Sequence, residues 1–275
     1  MNRLWGPVDA NLRSRLVTAS VGIPLLIWLI GWSPPEVFAG FFFLITVAAL
    51  REYFVMALPN RWQQQLGGIV FGTSLAFVSL VCGQANPAVF VGALLIFGFL
   101  VGLLFRARLV NRLTWLPRTL LGGLYVGYLV PFFVVLFRHP DGRAWLFWLF
   151  LVIMAGDTAA FFVGHRFGTR RLAPLISPGK TVEGAWGYLA GAVIGGSLGA
   201  VLLFKQFSWL EIFALTVTLA VLGQLGDLFE SWLKRVFAVK DSGSILPGHG
   251  GLLDRLDSLI FPAVFTTTYL RIFHS

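Results

Sequence analysis

The chain reads Ser231-Trp-Leu-Lys-Arg-Val-Phe-Ala-Val-Lys-Asp-Ser-Gly-Ser-Ile-Leu-Pro-Gly-His-Gly-Gly-Leu-Leu-Asp-Arg-Leu-Asp257 between two long apolar runs. Only 12% of all residues are charged, yet this segment is dense in charged and titratable side chains. They are Lys234, Arg235, Lys240, Asp241, His249, Asp254, Arg255 and Asp257. Such a density of charge between two membrane spans is typical of a water-filled mouth where chemistry or transport takes place. The alternative is a solvated loop whose charges only set the topology, but such a loop does not need Pro-Gly-His-Gly-Gly followed by two acids.

The composition of the whole chain indicates a membrane protein. Of its 275 residues, 57% are hydrophobic, and the mean hydropathy of +0.81 is too apolar for a soluble domain. Every backbone amide in lipid must be paired within the protein, so the predicted fold class is all-α, a polytopic integral membrane helical bundle. Because no segment is suited to be a long linker, residues 1–275 are predicted to form one membrane domain. Its N-terminal spans would occupy residues 1–143 and its catalytic spans residues 144–275.

A membrane span needs about 20 apolar residues, and this length predicts about nine spans in the chain. They lie at 16–32, 36–57, 66–83, 87–105, 115–137, 144–164, 182–204, 209–233 and 257–273. Pro24, Pro131 and Pro262 fall inside spans and are expected to kink them rather than end them. A glycine-rich face in the seventh span favours the close approach of a neighbouring helix.

The distribution of basic residues predicts the orientation in the membrane. With a cytoplasmic N-terminus, the outer side holds only Arg138, Arg143, Lys205 and Arg271 of the 21 lysines and arginines. This strong positive-inside bias places the loops after the sixth and eighth spans together on the cytoplasmic side. The protein is therefore predicted to lie in the inner, cytoplasmic membrane with its active site facing the cytoplasm. The bias and anionic lipid also explain the net charge of +9, so no nucleic-acid partner is expected.

The first charged segment begins within the sixth span. Asp157 lies in an otherwise apolar stretch, where an acid is costly unless it faces a cavity, a cation or a positive partner. Further on, Ser177-Pro-Gly-Lys-Thr181 is predicted to open the seventh span. Small residues and a lysine at a helix start suit phosphate, because backbone N–H groups and the positive end of the helix dipole are exposed there. The segment lacks the upstream glycine and preceding strand of a Walker A loop, and a plain helix start explains it about as well.

The second charged segment begins inside the eighth span. Asp227, Ser231 and Lys234 are spaced i, i+4 and i+7, so they share one face of the helix. This polar face would run from inside the membrane to its surface. Asp254 and Asp257 also share a face at the start of the ninth span, where the helix dipole favours carboxylates.

The chemistry of these side chains favours magnesium. Several carboxylates close together repel one another unless cations join them. Hard oxygen ligands with no cysteine and a single histidine nearby indicate Mg²⁺ rather than Zn²⁺. Mg²⁺ commonly accompanies a nucleoside triphosphate, whose remaining charge the lysines and Arg255 can neutralise. His249 is ambiguous, since it can bind phosphate, donate a proton or only hold the loop. The residues alone predict a membrane enzyme that uses Mg²⁺ and a cytosolic polyphosphate to act on a component of the bilayer.

The segment from Ser231 to Asp257 closely resembles the signature of the phosphatidate cytidylyltransferases, also called CDP-diacylglycerol synthases. That signature is Ser-x-hydrophobic-Lys-Arg, four residues, Lys-Asp-x-small, and then Pro-x-His-Gly-Gly-x-x-Asp-Arg-x-Asp, and every fixed position is present here. Ser177-Pro-Gly-Lys-Thr181 and Gly226-Asp-Leu-Phe-Glu-Ser231 are also similar to that family. The matching motifs cover roughly residues 155–260, and the N-terminal half is similar only in being a series of spans.

The resemblance implies transfer of CMP from CTP to phosphatidate in phospholipid biosynthesis, with CDP-diacylglycerol and pyrophosphate as products. Mg²⁺ is the implied cofactor, with a second cation left open, and a homodimer is a further expectation from the family. By similarity, the metal ligands are Asp227 and Asp254. The implied catalytic residues are Asp227, Asp254, Lys180 and Lys240. The implied substrate-binding residues are Ser177, Asp241, His249, Arg255 and Asp257.

Two other functions stay open from the sequence. A transporter or channel would use Asp157 and Asp227 as an ion path, but the charges cluster at one face instead of running through the bilayer. A relative within the same superfamily would act on another lipid acceptor. The apolar N-terminal spans would select that acceptor, and their sequence does not identify it.

Overall fold

The computed structural model describes residues 10–82, 109–204, 207–245 and 250–274. Helices predominate in these ranges. They are α1 (Ala10–Gly31), α2 (Pro35–Ala57), α3 (Trp62–Cys82), α4 (Leu109–Gly122), α5 (Phe132–Phe137), α6 (Gly142–Phe167), α7 (Val182–Leu203), α8 (Trp209–Val236) and α9 (Leu253–Phe273). The predicted helical membrane fold is confirmed at this level.

Six helical segments among the described residues are long and apolar enough to cross a membrane. They are Pro35–Ala57, Trp62–Val81, Trp115–Phe137, Gly142–Phe167, Val182–Leu203 and Trp209–Val236. The predicted count of about nine is not confirmed. The predicted span 87–105 lies outside the described residues, and the apolar part of α1, Thr18–Gly31, is shorter than the others. Helix α9 is not among the six either, and it carries Asp254, Arg255 and Asp257 in its first turns.

The predicted span 115–137 is not one continuous α-helix. Helix α4 passes into a π-helical turn, Gly123–Tyr128, and α5 begins only at Phe132. Pro131 directly precedes α5 and has no N–H to donate to the preceding turn, which explains the break. The π turn faces the catalytic half of the chain, since Tyr125 contacts Phe229 of α8 edge-on with ring centroids 4.9 Å apart. Such turns are frequent at functional sites.

A short antiparallel hairpin between α6 and α7 departs from the all-α prediction. Strand β1 (Arg171–Ala173) pairs with strand β2 (Ser177–Thr181). The segment Ser177-Pro-Gly-Lys-Thr181, predicted to open the seventh span, is a strand that leads directly into α7 at Val182. The proline and glycine of this segment disfavour a helix interior. Thr181 then caps α7 by accepting a hydrogen bond from the Gly184 N–H at 3.0 Å.

Helices α6 and α7 pack closely along a face of small residues. Side chains at Gly187 and Gly191 would collide with Val163 and Ala159 of α6. The structure thus has the close approach that the glycine-rich face predicted. This packing fixes both helices where they meet the hairpin, and so limits the movement of the hairpin itself.

The N-terminal helices join the catalytic half through aromatic packing. Phe38 of α2 stacks on Phe137 of α5 with ring centroids 4.0 Å apart. Tyr53, near the other end of α2, contacts Phe237 just past α8 edge-on at 5.8 Å. Phe38 and Tyr53 are fully buried. One face of α2 therefore packs in the core, and its C-terminal end reaches the segment that follows α8.

Candidate active site

The two charged segments meet at Asp227. Lys180 on β2 places its Nζ 2.6 Å from Asp227 Oδ2 on α8. Ser231, one turn further along α8, donates to Asp227 Oδ1 at 3.4 Å. Lys180 and Asp227 keep 27% and 33% of their side-chain surface exposed, so solvent screens the pair and its contribution to stability is small. The structure brings these two predicted site residues together where solutes can reach them.

Glu183 at the start of α7 holds the base of the hairpin. Its carboxylate accepts hydrogen bonds from the Thr169 N–H at 3.0 Å, the Thr169 hydroxyl at 2.9 Å and the Arg170 N–H at 3.2 Å. At the turn of the hairpin, Arg235 of α8 donates its Nε–H to the Ile176 carbonyl at 3.0 Å. These contacts fix the hairpin against α7 and α8, and hence position the lysine that it carries.

Asp254 forms a second ion pair, with Lys234 of α8. Lys234 Nζ lies 2.6 Å from Asp254 Oδ1 and also contacts the carboxylate of Glu230, one turn earlier on α8. Glu230 is fully buried, and a buried carboxylate that loses its partner is strongly destabilising. Lys234 therefore forms ion pairs with two carboxylates at once. The i, i+4 spacing of Glu230 and Lys234 is the signal in the sequence from which this pair could have been found.

The second oxygen of Asp254 holds the loop between α8 and α9. Asp254 Oδ2 accepts from the Ser242 N–H at 3.1 Å and from the Gly251 N–H at 2.9 Å. Asp254 lies ahead of the predicted span 257–273. Burial by itself would raise the pKa of Asp254, but hydrogen bonds from Lys234 and from the Gly251 backbone outweigh it and hold the pKa at about 2. Asp254 is thus an anion at neutral pH with both oxygens engaged.

Two further acids surround Asp227. Asp257 on α9 is only 7% exposed, accepts from the Ser258 N–H at 2.6 Å and interacts electrostatically with Asp227. Asp157 on α6 is exposed and interacts electrostatically with Asp227 and Lys180. Helices α6, α8 and α9 thus direct three acids to one region, with the hairpin lysine among them.

The remaining predicted residues lie around this cluster. Ser177 begins β2, pairs with Ala173 and is partly buried. Lys240 and Asp241 follow α8, are exposed, and form no ion pair with another described residue. The structure therefore does not bring these two into contact with the acids. Arg255 is exposed in the first turn of α9. The predicted site residue His249 lies outside the described residues, and its role stays a prediction.

Asp227 suits Mg²⁺ better than Asp254 does. Both offer the hard carboxylate oxygens that Mg²⁺ takes. Asp227 is partly exposed, and among the described residues its Oδ1 has only the long contact from Ser231. Both oxygens of Asp254 are hydrogen-bonded. Within the described ranges, no three His, Cys, Asp or Glu side chains are grouped as a ready metal site. Asp254 would bind a cation only after Lys234 releases it.

Two buried tyrosines close to the acids were missed by the sequence reasoning. The hydroxyls of Tyr125, in the π turn, and Tyr188, on α7, are buried without a hydrogen-bond partner among the described residues. Both interact electrostatically with Asp227 and Asp257. Buried hydroxyls without partners are uncommon, so they mark a polar interior beside the acids. Nothing in the hydropathy of their spans distinguishes these tyrosines from other aromatic core residues.

The chain is similar to known proteins over nearly its whole length. The sequence profile of the cytidylyltransferase family matches residues 13–273. The chain belongs to the cytidylyltransferase family. It is similar to the phosphatidate cytidylyltransferase of Brucella suis biovar 1 (strain 1330), with 35% identity over 269 residues, 96% of this chain and 95% of the relative. The protein of the same name from Bacillus subtilis (strain 168) is 41% identical over 155 residues, 56% of this chain and 57% of the relative. That from Staphylococcus haemolyticus (strain JCSC1435) is 33% identical over 259 residues, 91% of this chain and 95% of the relative.

The match confirms the resemblance that the signature indicated, and with it the prediction of a nucleotidyltransferase enzyme. It also extends beyond the signature, because it begins at residue 13 and so includes the N-terminal helices. The motifs alone gave no family signal in that half. The N-terminal helices therefore belong to the family's common architecture.

Proposed function

We propose that this enzyme transfers CMP from CTP to phosphatidate, giving CDP-diacylglycerol and pyrophosphate for phospholipid synthesis. The observation that carries the proposal is the contact between Lys180 and Asp227, which joins the two segments that bear the family motifs. Relatives that are similar over nearly the whole chain are named phosphatidate cytidylyltransferases. The membrane helices around the site support a substrate that resides in the bilayer.

The proposed reaction is an in-line displacement at phosphorus. A phosphate oxygen of phosphatidate bonds to the α-phosphorus of CTP, while the bond from that phosphorus to the oxygen bridging the β-phosphate breaks. Pyrophosphate leaves with the electron pair of the broken bond. Because the attacking phosphate is already an anion, no covalent enzyme intermediate is required. The protein then contributes orientation and neutralisation of charge.

The cations of the site would bind the triphosphate. Lys180 is partly exposed, so its ammonium can exchange Asp227 for a phosphate oxygen of CTP. Lys240 and Arg255 are exposed and would neutralise the phosphates of the leaving pyrophosphate. Ser177, at the start of the same strand, would add a hydrogen bond to the triphosphate.

Mg²⁺ is the proposed cofactor. When bound, it would neutralise charge on the triphosphate and make the α-phosphorus more electrophilic. Asp227 would hold it, and Asp254 would be the second ligand once Lys234 releases Oδ1. Lys234 would then stay paired with the buried Glu230, so that the ammonium of Lys234 keeps an oppositely charged partner.

We further propose that the site faces the cytoplasm from the inner membrane. The bias of basic residues supports this orientation, and CTP is a water-soluble cytosolic compound. The hairpin and the loop between α8 and α9 adjoin the same ends of α6, α7, α8 and α9. A soluble nucleotide and a lipid headgroup can meet at such a helix end. The homodimer expected from the family is part of the same proposal.

Purified protein in vesicles that contain phosphatidate provides the test. With CTP and Mg²⁺ it should release pyrophosphate and CDP-diacylglycerol in equal amounts, and chelation of Mg²⁺ should stop both. Asp227→Asn should lower turnover by at least about 10²-fold. Asp141→Asn is a matched control, because Asp141 is exposed at the opposite end of α6, and its turnover should match the wild type.

Folded wild-type protein that releases no pyrophosphate would refute the reaction. Ion flux through the vesicles without nucleotide would then favour the transporter alternative. Parallel assays with other phosphorylated lipids test the acceptor. If one of them is turned over faster, that lipid and not phosphatidate is the acceptor.

A further inference from the structure

Glu52 lies near the C-terminal end of α2, in the half of the chain without motifs, and is only 3% exposed. Its Oε2 accepts hydrogen bonds from the Leu253 N–H at 2.9 Å and from the Ser242 hydroxyl at 3.4 Å. Ser242 lies in the loop between α8 and α9, and Leu253 is the first residue of α9. One carboxylate of the N-terminal half thus binds both the loop of the candidate site and the start of the helix that follows it.

The contact with Leu253 caps α9 from another helix. Leu253 is the first residue of α9, and amides in the first turn of a helix have no partner within it. Leu252, which precedes the helix, provides no side-chain cap. A carboxylate is also favoured at this end by the helix dipole. Glu52 therefore supplies a cap that the loop itself lacks.

The loop lies so close to Glu52 that a side chain is excluded at position 243. A Cβ at Gly243 would come within 2.6 Å of Glu52 Cδ, and one at Gly251 within 2.8 Å of Glu52 Oε2. Both distances are too short for a carbon atom, but a Cβ at Gly251 would come nearer still to Ser242 Oγ. Glu52 therefore requires glycine at position 243, whereas the loop itself excludes a side chain at position 251. Contact with Glu52, and not only approach to substrate, accounts for Gly243.

Glu52 and Asp254 bind the same loop residue. Glu52 accepts from the Ser242 hydroxyl, and Asp254 accepts from the Ser242 N–H. Asp254 also follows directly after Leu253, whose N–H binds Glu52. The geometry points to Glu52 as a positioning residue that sets the place of Asp254 through the loop, without touching substrate. This inference rests on the proposed function, because it concerns the same site.

The second oxygen of Glu52 argues against a purely stabilising role. Glu52 Oε1 is buried without a hydrogen-bond partner among the described residues, and no ion pair in those ranges includes Glu52. A buried oxygen without a partner costs stability, so stability alone does not explain a glutamate at this position. The position of the loop is the property that the carboxylate does serve.

Turnover of CTP and phosphatidate by purified variants tests the inference. Glu52→Ala should lower kcat by about 10- to 100-fold and change the KM for CTP less than about threefold, because a displaced Asp254 impairs chemistry more than binding. Glu52→Gln keeps one carbonyl acceptor and should restore kcat to within about fivefold of the wild type. Glu36→Ala is the matched control, since Glu36 is exposed in the first turn of the same helix, and kcat should not change.

A double variant gives a test that does not depend on how well the protein tolerates Glu52→Ala alone. Gly243→Ala should lower kcat in the wild type, because its methyl group collides with Glu52. In the Glu52→Ala background the same change should have a smaller effect, since the colliding carboxylate is gone. Equal effects in both backgrounds would overturn the inference, as would Glu52→Gln with kcat no higher than that of Glu52→Ala.

Hydrogen exchange separates this inference from the proposed reaction. In Glu52→Ala, the amides of Ser242, Gly251 and Leu253 should exchange at least about tenfold faster, while those of α8 keep their rates. A wild type that does not use CTP would refute the reaction, but the exchange would still show whether Glu52 holds the loop. Unchanged exchange at these amides would overturn the inference even if turnover is as proposed.

Discussion

The hairpin β1–β2 and the loop between α8 and α9 are held by contacts between residues at very different separations along the chain. The hairpin is fixed at its base by Glu183, whose donors Thr169 and Arg170 lie 14 and 13 residues away. The loop is fixed by Glu52, whose donors lie 190 and 201 residues further along the chain. Contacts of short range can form with the hairpin itself, whereas those of long range require α2 to be packed first.

Helix α8 supports both segments. Lys180 of the hairpin meets Asp227 in the body of α8, and Lys234, two turns further on, meets Asp254 after the loop. Helix α2 touches the site through the loop and the start of α9, by way of Glu52. Helix α2 should therefore influence the position of Asp254, whereas the position of the hairpin lysine depends on α7 and α8.

Asp254→Asn should have the largest effect, because it disturbs the loop and the α8 ion pair together. Asparagine has a single acceptor oxygen, so either Lys234 or the amides of Ser242 and Gly251 lose their partner. Turnover of CTP should fall by about 10³-fold, and the loop amides should exchange faster. Steady-state kinetics and hydrogen exchange on one preparation check both effects. Retention of more than about a tenth of the wild-type turnover would show that neither contact matters for the reaction.

Lys180→Ala comes next, because it removes the cation of the hairpin and leaves the loop in place. It should lower kcat/KM for CTP by about 10²-fold, with loop exchange unchanged. Lys240→Ala is the comparison on the loop side, and its loss should be nearer tenfold, about one charge-assisted contact, because Lys240 is exposed. A larger loss for Lys240→Ala would mean that the loop, and not the hairpin, supplies the main phosphate contact.

What the sequence could predict follows the same division between local and remote contacts. The seventh span was predicted at 182–204 and α7 is Val182–Leu203, since the length of an apolar run is a local property. The convergence of the segments around Lys180 and Asp227 followed from the charge bias, which put both on one side of the membrane. The strand Ser177–Thr181 was missed because small residues suit a helix start as well as a turn, and its pairing depends on β1.

The role of Glu52 had no local signal. It stands near the end of an apolar span, beside Arg51 in the sequence, where a glutamate is usually a solvated boundary residue. Its donors are 190 or more residues away, so no spacing within one helix reveals them. The π turn at Gly123–Tyr128 was missed for a related reason, because hydropathy treats the span 115–137 as uniform.

Glu183→Gln should have a moderate effect that is confined to the hairpin. The amide nitrogen of glutamine cannot accept, so the bonds to Thr169 or to the Arg170 N–H are lost. The kcat/KM for CTP should fall by about fivefold through displacement of the hairpin lysine. Arg170→Ala is the matched control. The Arg170 side chain also pairs with Glu183, its Nε lying 3.4 Å from Oε1, but it is 79% exposed and such surface ion pairs contribute little. A loss for Arg170→Ala as large as for Glu183→Gln would mean that the ion pair, and not the backbone contacts, holds the hairpin.

The smallest expected effect is the coupling between the two segments. Within the described ranges, the hairpin and the loop share no hydrogen bond or ion pair. The fold-loss of kcat in the double variant should therefore equal the product of the losses from Glu183→Gln and Glu52→Ala to within about twofold. Measurement of kcat for the wild type, both single variants and the double variant gives this product. A departure beyond about fivefold would mean that α8 transmits displacement between the segments. Arg235, which binds the hairpin at the Ile176 carbonyl, adjoins Lys234 on α8, and Arg235→Ala should then remove the coupling while leaving each single effect in place.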